Sequence, residues 1–122
     1  MPESKLRELT LSFSVKIIEL VNELRAKHES VISSQIARSA TSIGANVSEA
    51  QYAQGKKDFI SKLEIALKEA SETGYWLELL YRTNYIDQER FKELSGICGS
   101  IRVMLISSCK TAKRDKGLRE EN

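Results

Sequence analysis

Apolar side chains recur at three- and four-residue steps through almost the whole chain, in four separate stripes. The first spans about residues 6–26, where Leu6, Leu9, Phe13, Ile17, Leu20 and Leu24 fall on one line. Leu11, Val15, Ile18 and Val21 widen it, which predicts that more than one neighbour covers this helix. The pattern lapses at Lys27-His28-Glu29, a predicted turn, and Ser30 is the expected N-cap of a second helix over about 31–52. Its large-residue face is Ile32, Ile36, Ala40, Ile43, Val47 and Ala50; a second face is built from Ala37, Thr41, Gly44 and Ser48. Between Ser30 and Gln54 only Arg38 and Glu49 are charged, so this helix is expected either at the centre of the bundle or against another subunit. Gly44 costs about 1 kcal/mol of helix propensity relative to alanine, a cost that close backbone approach would justify.

Gln54-Gly55 marks the next break. The third helix, about 56–82, turns Phe59, Leu63, Ala66, Ala70, Leu77 and Leu80 inward. Opposite charges at four-residue spacing (Asp58–Lys62, Glu64–Lys68, Lys68–Glu72, Glu78–Arg82) predict a wet outer face, each pair worth about 0.2–0.5 kcal/mol. Tyr75 and Trp76 cannot share a direction with Leu77, which makes them candidates for a groove or subunit contact. Asp87 is placed to cap the fourth helix, about 88–112, with Glu89 in its first turn and Ile86 able to pack on Phe91. There Phe91, Leu94, Cys98, Ile101, Leu105 and Ala112 form the inner line, and Gly96, Ser100, Val103 and Ser107 a small-residue side. Residues 113–122 read as a basic tail in which order fades. Four long helices with short links and no competing strand pattern predict an all-α, antiparallel up-down-up-down four-helix bundle over residues 1–112.

Composition narrows the chemistry. The chain has 122 residues, one domain's worth, with 41% hydrophobic and 30% charged positions. A single histidine excludes a multi-histidine metal centre, and His28 sits at a turn. Cys98 and Cys109 are three helical turns apart, about 16 Å, too far to bond to each other on one helix; they read as small apolar thiols in the core. There is no phosphate-cradling glycine loop and no nucleophile–base pair, so no catalytic residue, cofactor site or metal ligand is assigned and the protein is expected not to be an enzyme. The first residues lack an unbroken apolar run, and no segment approaches the ~20 apolar residues that span a bilayer. A cytoplasmic protein without a membrane partner is therefore expected.

Asn46 and Glu49, three apart on the second helix, are bracketed by apolar residues and expected to be partly shielded. Asn46, Lys56 or Lys57 could donate to the carboxylate, either as a clasp between the second and third helices or as a ligand site. Lys and Arg number 19 against 17 Asp and Glu, a net charge of +2 that announces no nucleic-acid binder by itself. Locally, however, no acidic residue lies between Leu94 and Ala112, while Arg102, Lys110, Lys113 and Arg114 fall in or just after that stretch. In a symmetric oligomer such charges multiply into a ring able to hold a phosphate backbone without reading sequence; otherwise they are a solvated surface.

The stretch Ser34-Gln35-Ile36-Ala37-Arg38-Ser39-Ala40-Thr41-Ser42-Ile43-Gly44-Ala45-Asn46-Val47-Ser48-Glu49-Ala50, followed by Gly55-Lys56-Lys57-Asp58-Phe59-Ile60, resembles the 23S ribosomal RNA intervening-sequence proteins, also called S23 ribosomal proteins. The likeness runs through nearly the whole chain. It implies a small bacterial four-helix bundle with no established catalytic activity, assembled as a homopentamer around a central opening. Some members are encoded inside insertions in 23S rRNA genes, and a related group binds nucleic acid and a reverse transcriptase. By position, Ser42, Ile43, Asn46 and Glu49 match the hallmark of the second helix, Lys57, Asp58 and Phe59 that of the third, and Arg38 a basic position. The chain differs in having Gly44 where many members have proline, Ala50 where they have glycine, and Ala37 where they have a second arginine. Ala50 predicts a longer second helix; Ala37 removes a positive charge per subunit. The resemblance implies a non-enzymatic oligomer binding RNA or DNA without sequence specificity, or a protein–protein assembly module with no nucleic-acid role.

Overall fold

A computed structural model describes the backbone of residues 2–121 and the side chains of residues 5–115. The four stripes become four helices, α1 (Pro2–Ala26), α2 (Val31–Ala50), α3 (Lys56–Arg82) and α4 (Gln88–Glu121). Each helix packs on the next in the chain, and α4 closes on α1 along the thinnest seam. The pairs Glu49–Lys62 and Ser39–Thr73 run oppositely along α2 and α3, as Lys16–Glu93 and Glu23–Arg90 do along α1 and α4. These neighbours are therefore antiparallel, and α2 and α3 are the most extensively packed of the four, with their shared seam the thickest.

Phe13, Ile17, Leu20 and Leu24 of α1 meet Ile36, Ile43 and Val47 of α2 in one core with Leu77 and Leu80 of α3 and Leu94, Ile101 and Leu105 of α4. Small side chains at the facing positions Ala40, Ala66 and Ala70 let the backbones draw together, and the buried thiol of Cys98 donates to the Ala70 carbonyl at 3.3 Å. Both cysteines are buried and free.

The turns are where the chain departs most from its expected caps. Ser30 makes no side-chain cap bond to α2. Glu29 supplies the cap instead: its carboxylate accepts the backbone N–H groups of Val31 (3.1 Å), Ile32 (3.0 Å) and Ser33 (2.6 Å), three of the donors that a helix start leaves orphaned. His28 enters the left-handed region (φ 67°), which swings Glu29 back under the helix start, and the Glu29 N–H bonds to the Leu24 carbonyl at 2.9 Å. Asn84 (φ 65°) repeats this device after α3, with Tyr85 N–H on the Leu80 carbonyl. Asp87 caps α4 as expected, its Oδ1 accepting from Arg90 N–H at 2.8 Å. Phe91 stacks on Tyr81 at 4.7 Å.

Two boundaries move. α2 stops at Ala50, not 52: Gln51, Tyr52 and Ala53 donate to carbonyls three residues back, tightening the chain out of the α-helical register before Gly55, whose φ of 135° suits only glycine. α4 runs on to Glu121, so 113–121 is helical where an irregular tail is expected. That segment contains no proline and is rich in Lys, Arg and Glu, which leaves only Gly117 to oppose propagation. The side chains of Lys116 and Arg119 lie outside the described residues.

Candidate assembly faces and a basic end

Arg38 and Glu49 turn out to serve the α2–α3 seam, and Asn46 does not. The Arg38 guanidinium reaches Glu69 Oε2 at 3.2 Å and also binds Glu72, whose Oε2 takes the Trp76 indole N–H at 3.0 Å. The Trp76 hydrogen bond and the Arg38 cation hold the Glu72 carboxyl below the usual carboxylate range, and Glu72 raises the Arg38 pKa in return. Beneath this bridge, Thr73 donates to the Glu69 carbonyl, which leaves its hydroxyl oxygen to accept from buried Ser39 at 2.8 Å. Glu49 is exposed rather than shielded, and Lys62, not Asn46, Lys56 or Lys57, is its partner at 3.2 Å. Asn46 instead donates to its own helix, at the Ser42 carbonyl and hydroxyl.

The charge ladder expected along α3 is mostly redirected. Only Glu78–Arg82 forms within the helix, at 2.9 Å. Lys62 leaves Asp58 for Glu49, Glu72 prefers Arg38 to Lys68, and Glu64 meets Lys113 of α4 at 3.5 Å. Asp58 instead accepts the Gln54 N–H at 3.3 Å and steadies the turn. Phe59 is half-buried beneath the Lys56 ammonium, 5.6 Å from its ring centre, and Lys57 points to solvent. Ile43 lies wholly in the core. Arg38 and Lys113 are thus paired inside the chain, whereas Arg102, Lys110 and Arg114 are exposed with no carboxylate within 4.0 Å among the described residues. Lys110 and Arg114 stand with Lys56 and Lys57 at one end of the bundle; Arg102 lies about 12 Å back along α4.

The small-residue faces divide by location. Gly44 makes its close approach within the chain: a Cβ there would meet Thr10 Oγ1 of α1 at 3.4 Å. Its closeness therefore joins α1 to α2 and gives no sign of self-association. Beside it an apolar groove of about 310 Å³ opens between the helices, lined by Thr10, Leu11, Thr41, Gly44, Ala45 and Ser48. On the outer side of α1, Leu11 of this groove and its helix neighbours Val15 and Ile18 are exposed by 50%, 54% and 41%. Both α2 and α4 cover α1 and bury Val21 of the widened stripe, but Leu11, Val15 and Ile18 stay uncovered within this chain. On α4 the outward line carries Gly96, Gly99 and Val103; the glycines have nothing within 4 Å of a Cβ position, and Val103 is 68% exposed. Tyr75 is likewise exposed, packed edge-on against Trp76 at 5.0 Å.

A second cleft, about 430 Å³, lies at the opposite end between α1 and the α3–α4 turn; there Glu23 pairs with Arg90 at 2.7 Å and Asp87 caps α4, which leaves Lys27 as its one charge without a partner among the described residues. Burial pushes the Cys98 thiol up to about 11 and, with nearby Glu64, raises that of Cys109, so neither is a ready nucleophile. No cluster of three metal-ligating side chains and no catalytic constellation occurs among the described residues, and no helix there is long and apolar enough to cross a membrane.

Comparison with known proteins agrees with this architecture. A crystal structure of a protein of unknown function from the S23 ribosomal protein family of Bacteroides thetaiotaomicron superposes with a TM-score of 0.88 at 48% identity, over 90% of this chain and 99% of that one. No curated protein matches. The sequence profile of the 23S rRNA-intervening sequence proteins matches residues 3–107. On that match, and on a fold shared at 48% identity, the chain belongs to the 23S rRNA-intervening sequence protein family.

Proposed function

We propose that the protein is a cytoplasmic, non-enzymatic scaffold that assembles into a homo-oligomer, a ring of five up-down-up-down bundles, and binds RNA or other nucleic acid through the phosphate backbone. The observation that carries this reading is the end of the bundle that Lys110 and Arg114 of α4 share with Lys56 and Lys57 of α3. The two α4 cations have no carboxylate partner among the described residues, while Lys113 between them, and Arg38, Lys62 and Arg90 elsewhere, are paired. A monomer offers few phosphate contacts; five copies multiply them, and counterion release then gives measurable, sequence-indifferent affinity. Arg38 and Lys113 contribute less to such a surface, because their charges are already spoken for.

Light scattering during size exclusion, read at 260 and 280 nm and followed by RNA titration at rising salt, tests both halves. A mass of about 69 kDa, five times the 13.8 kDa chain, is expected. RNA affinity should fall with salt, and the slope should shrink when Lys110 and Arg114 are both changed to glutamine. Salt-insensitive binding, or an unchanged slope, would remove the phosphate role. A second reading, a protein–protein assembly module without nucleic acid, draws on Tyr75, a large amphipathic ring left 62% exposed. It would appear as an oligomer free of RNA that binds a protein partner, with that binding abolished when Tyr75 is changed to alanine.

A further inference from the structure

Two outer faces of the bundle lack a cover, and their chemistry is complementary. The α1 face is a ridge of exposed Leu11, Val15 and Ile18, with the carboxylates of Glu8 and Glu19 on the same outer side. The α4 face is a hollow at Gly96 and Gly99 beside Val103, with Lys92 and Arg102 near its two ends. Glu19, Lys92 and Arg102 have no ion-pair partner among the described residues, and Glu8 touches only Arg7 at 3.5 Å. One face is apolar, raised and acid-flanked; the other is small, recessed and base-flanked.

We propose that a second copy of this chain covers each face head to tail, the α1 ridge of one copy seating in the α4 hollow of the next. The inference rests on the homo-oligomer reading above and specifies its contact. The geometry of the single chain also sets the register. The Lys16–Glu93 and Glu23–Arg90 bridges fix which turns of α1 and α4 stand at one height: Glu19 with Lys92, Val15 with Gly96, Leu11 with Gly99, and Glu8 with Arg102. Rotation about a ring axis parallel to the bundle moves each copy sideways without changing its height. The same levels then meet across the interface, so that two apolar knobs face two glycines while a carboxylate faces a cation on either side. Alanine would favour the helix at both glycines and would clash with nothing in the monomer, so an incoming side chain gives them a use.

Two variants of the full chain test this by light scattering, with circular dichroism to confirm that each remains helical. The double change Leu11→Asp with Val15→Asp spoils the ridge, and Gly96→Leu with Gly99→Leu fills the hollow. Each alone is expected to reduce the oligomer to single chains, the glycine variant melting no lower than a dissociated wild-type chain. Mixed in equal amounts they should form a species of two chains and nothing larger, because each retains one good face. If both variants keep the wild-type mass, the interface lies elsewhere while the homo-oligomer stands. If both dissociate but the mixture stays monomeric, the contact is not head to tail. A wild-type protein that is itself a single chain overturns both readings. Should the aspartate variant unfold, a charge swap replaces it: Glu8→Arg and Arg102→Glu should each weaken assembly, and the two combined in one chain should restore it.

Discussion

The α2–α3 and α1–α4 seams join neighbouring antiparallel helices in very different ways. Along α2–α3 the core is backed by a buried Ser39–Thr73 hydrogen bond, by Arg38 held between Glu69 and Glu72, and by Glu49–Lys62. Along α1–α4 the packing is thin, and the polar links among the described residues are two surface pairs, Lys16–Glu93 at 3.4 Å and Arg90–Glu23 at 2.7 Å. Buried hydroxyl pairs demand one geometry, because a misplaced partner leaves a polar group unsatisfied. Exposed ion pairs tolerate many geometries and add little. The bundle is thus specified from its middle outward, and its first and last helices are the more easily parted.

The contrast can be broken most strongly at Ser39. Leucine at this fully buried site should force α2 off α3 and cost about 3 kcal/mol in urea unfolding, the hydrogen bond to Thr73 being removed as well. Changing Arg38 to methionine removes the cation from two carboxylates at a half-exposed site and should cost about 1 kcal/mol. The same bridge gives a pH signature. Glu72 is held below the ordinary carboxylate range by Trp76 and Arg38, so its contribution is complete above about pH 4.5 and is lost as the pH falls through the lowered folded value. In the Arg38→Met variant this acid sensitivity should shrink. Cys98 has the opposite sign: with its thiol raised to about 11, stability should decline as pH rises from about 9 to 11, and thiol reagents should react slowly at pH 8 in the folded state. Least of all, Lys16→Gln should change stability by about 0.5 kcal/mol or less. Hydrogen exchange would sharpen the comparison, with α2 and α3 amides opening last; equal protection in all four helices would contradict it.

The sequence displays what is periodic and hides what is distant. Phe13, Ile36, Leu77 and Leu105 could be assigned to the core from spacing, and Asp87 to a cap, because both signals lie within a few residues. The redirected charges could not: Lys62 and Asp58 satisfy the four-residue rule, but Glu49, thirteen positions away, takes the lysine. Glu29 escaped as a cap because its side chain works only after His28 has turned left-handed, while Ser30 has the commoner capping side chain. For the candidate surfaces, charge spacing identified Lys110 and Arg114 but could not show that Arg38 and Lys113 are neutralised by other helices. Of the widened stripe of α1, only Val21 is buried in the folded chain, and Leu11, Val15 and Ile18 remain exposed.

The left-handed turns at His28 and Asn84 also bear on how fast the chain finds its fold. Each reverses direction within four or five residues, and Gly55 does the same at the other end, so three of the four helix pairings close short loops. Short closures lose little chain entropy and belong to rapidly folding topologies. Only the meeting of α4 with α1 spans most of the chain. Helical hairpins should therefore form early, and mutations confined to the α1–α4 seam should speed unfolding while leaving the refolding rate almost untouched.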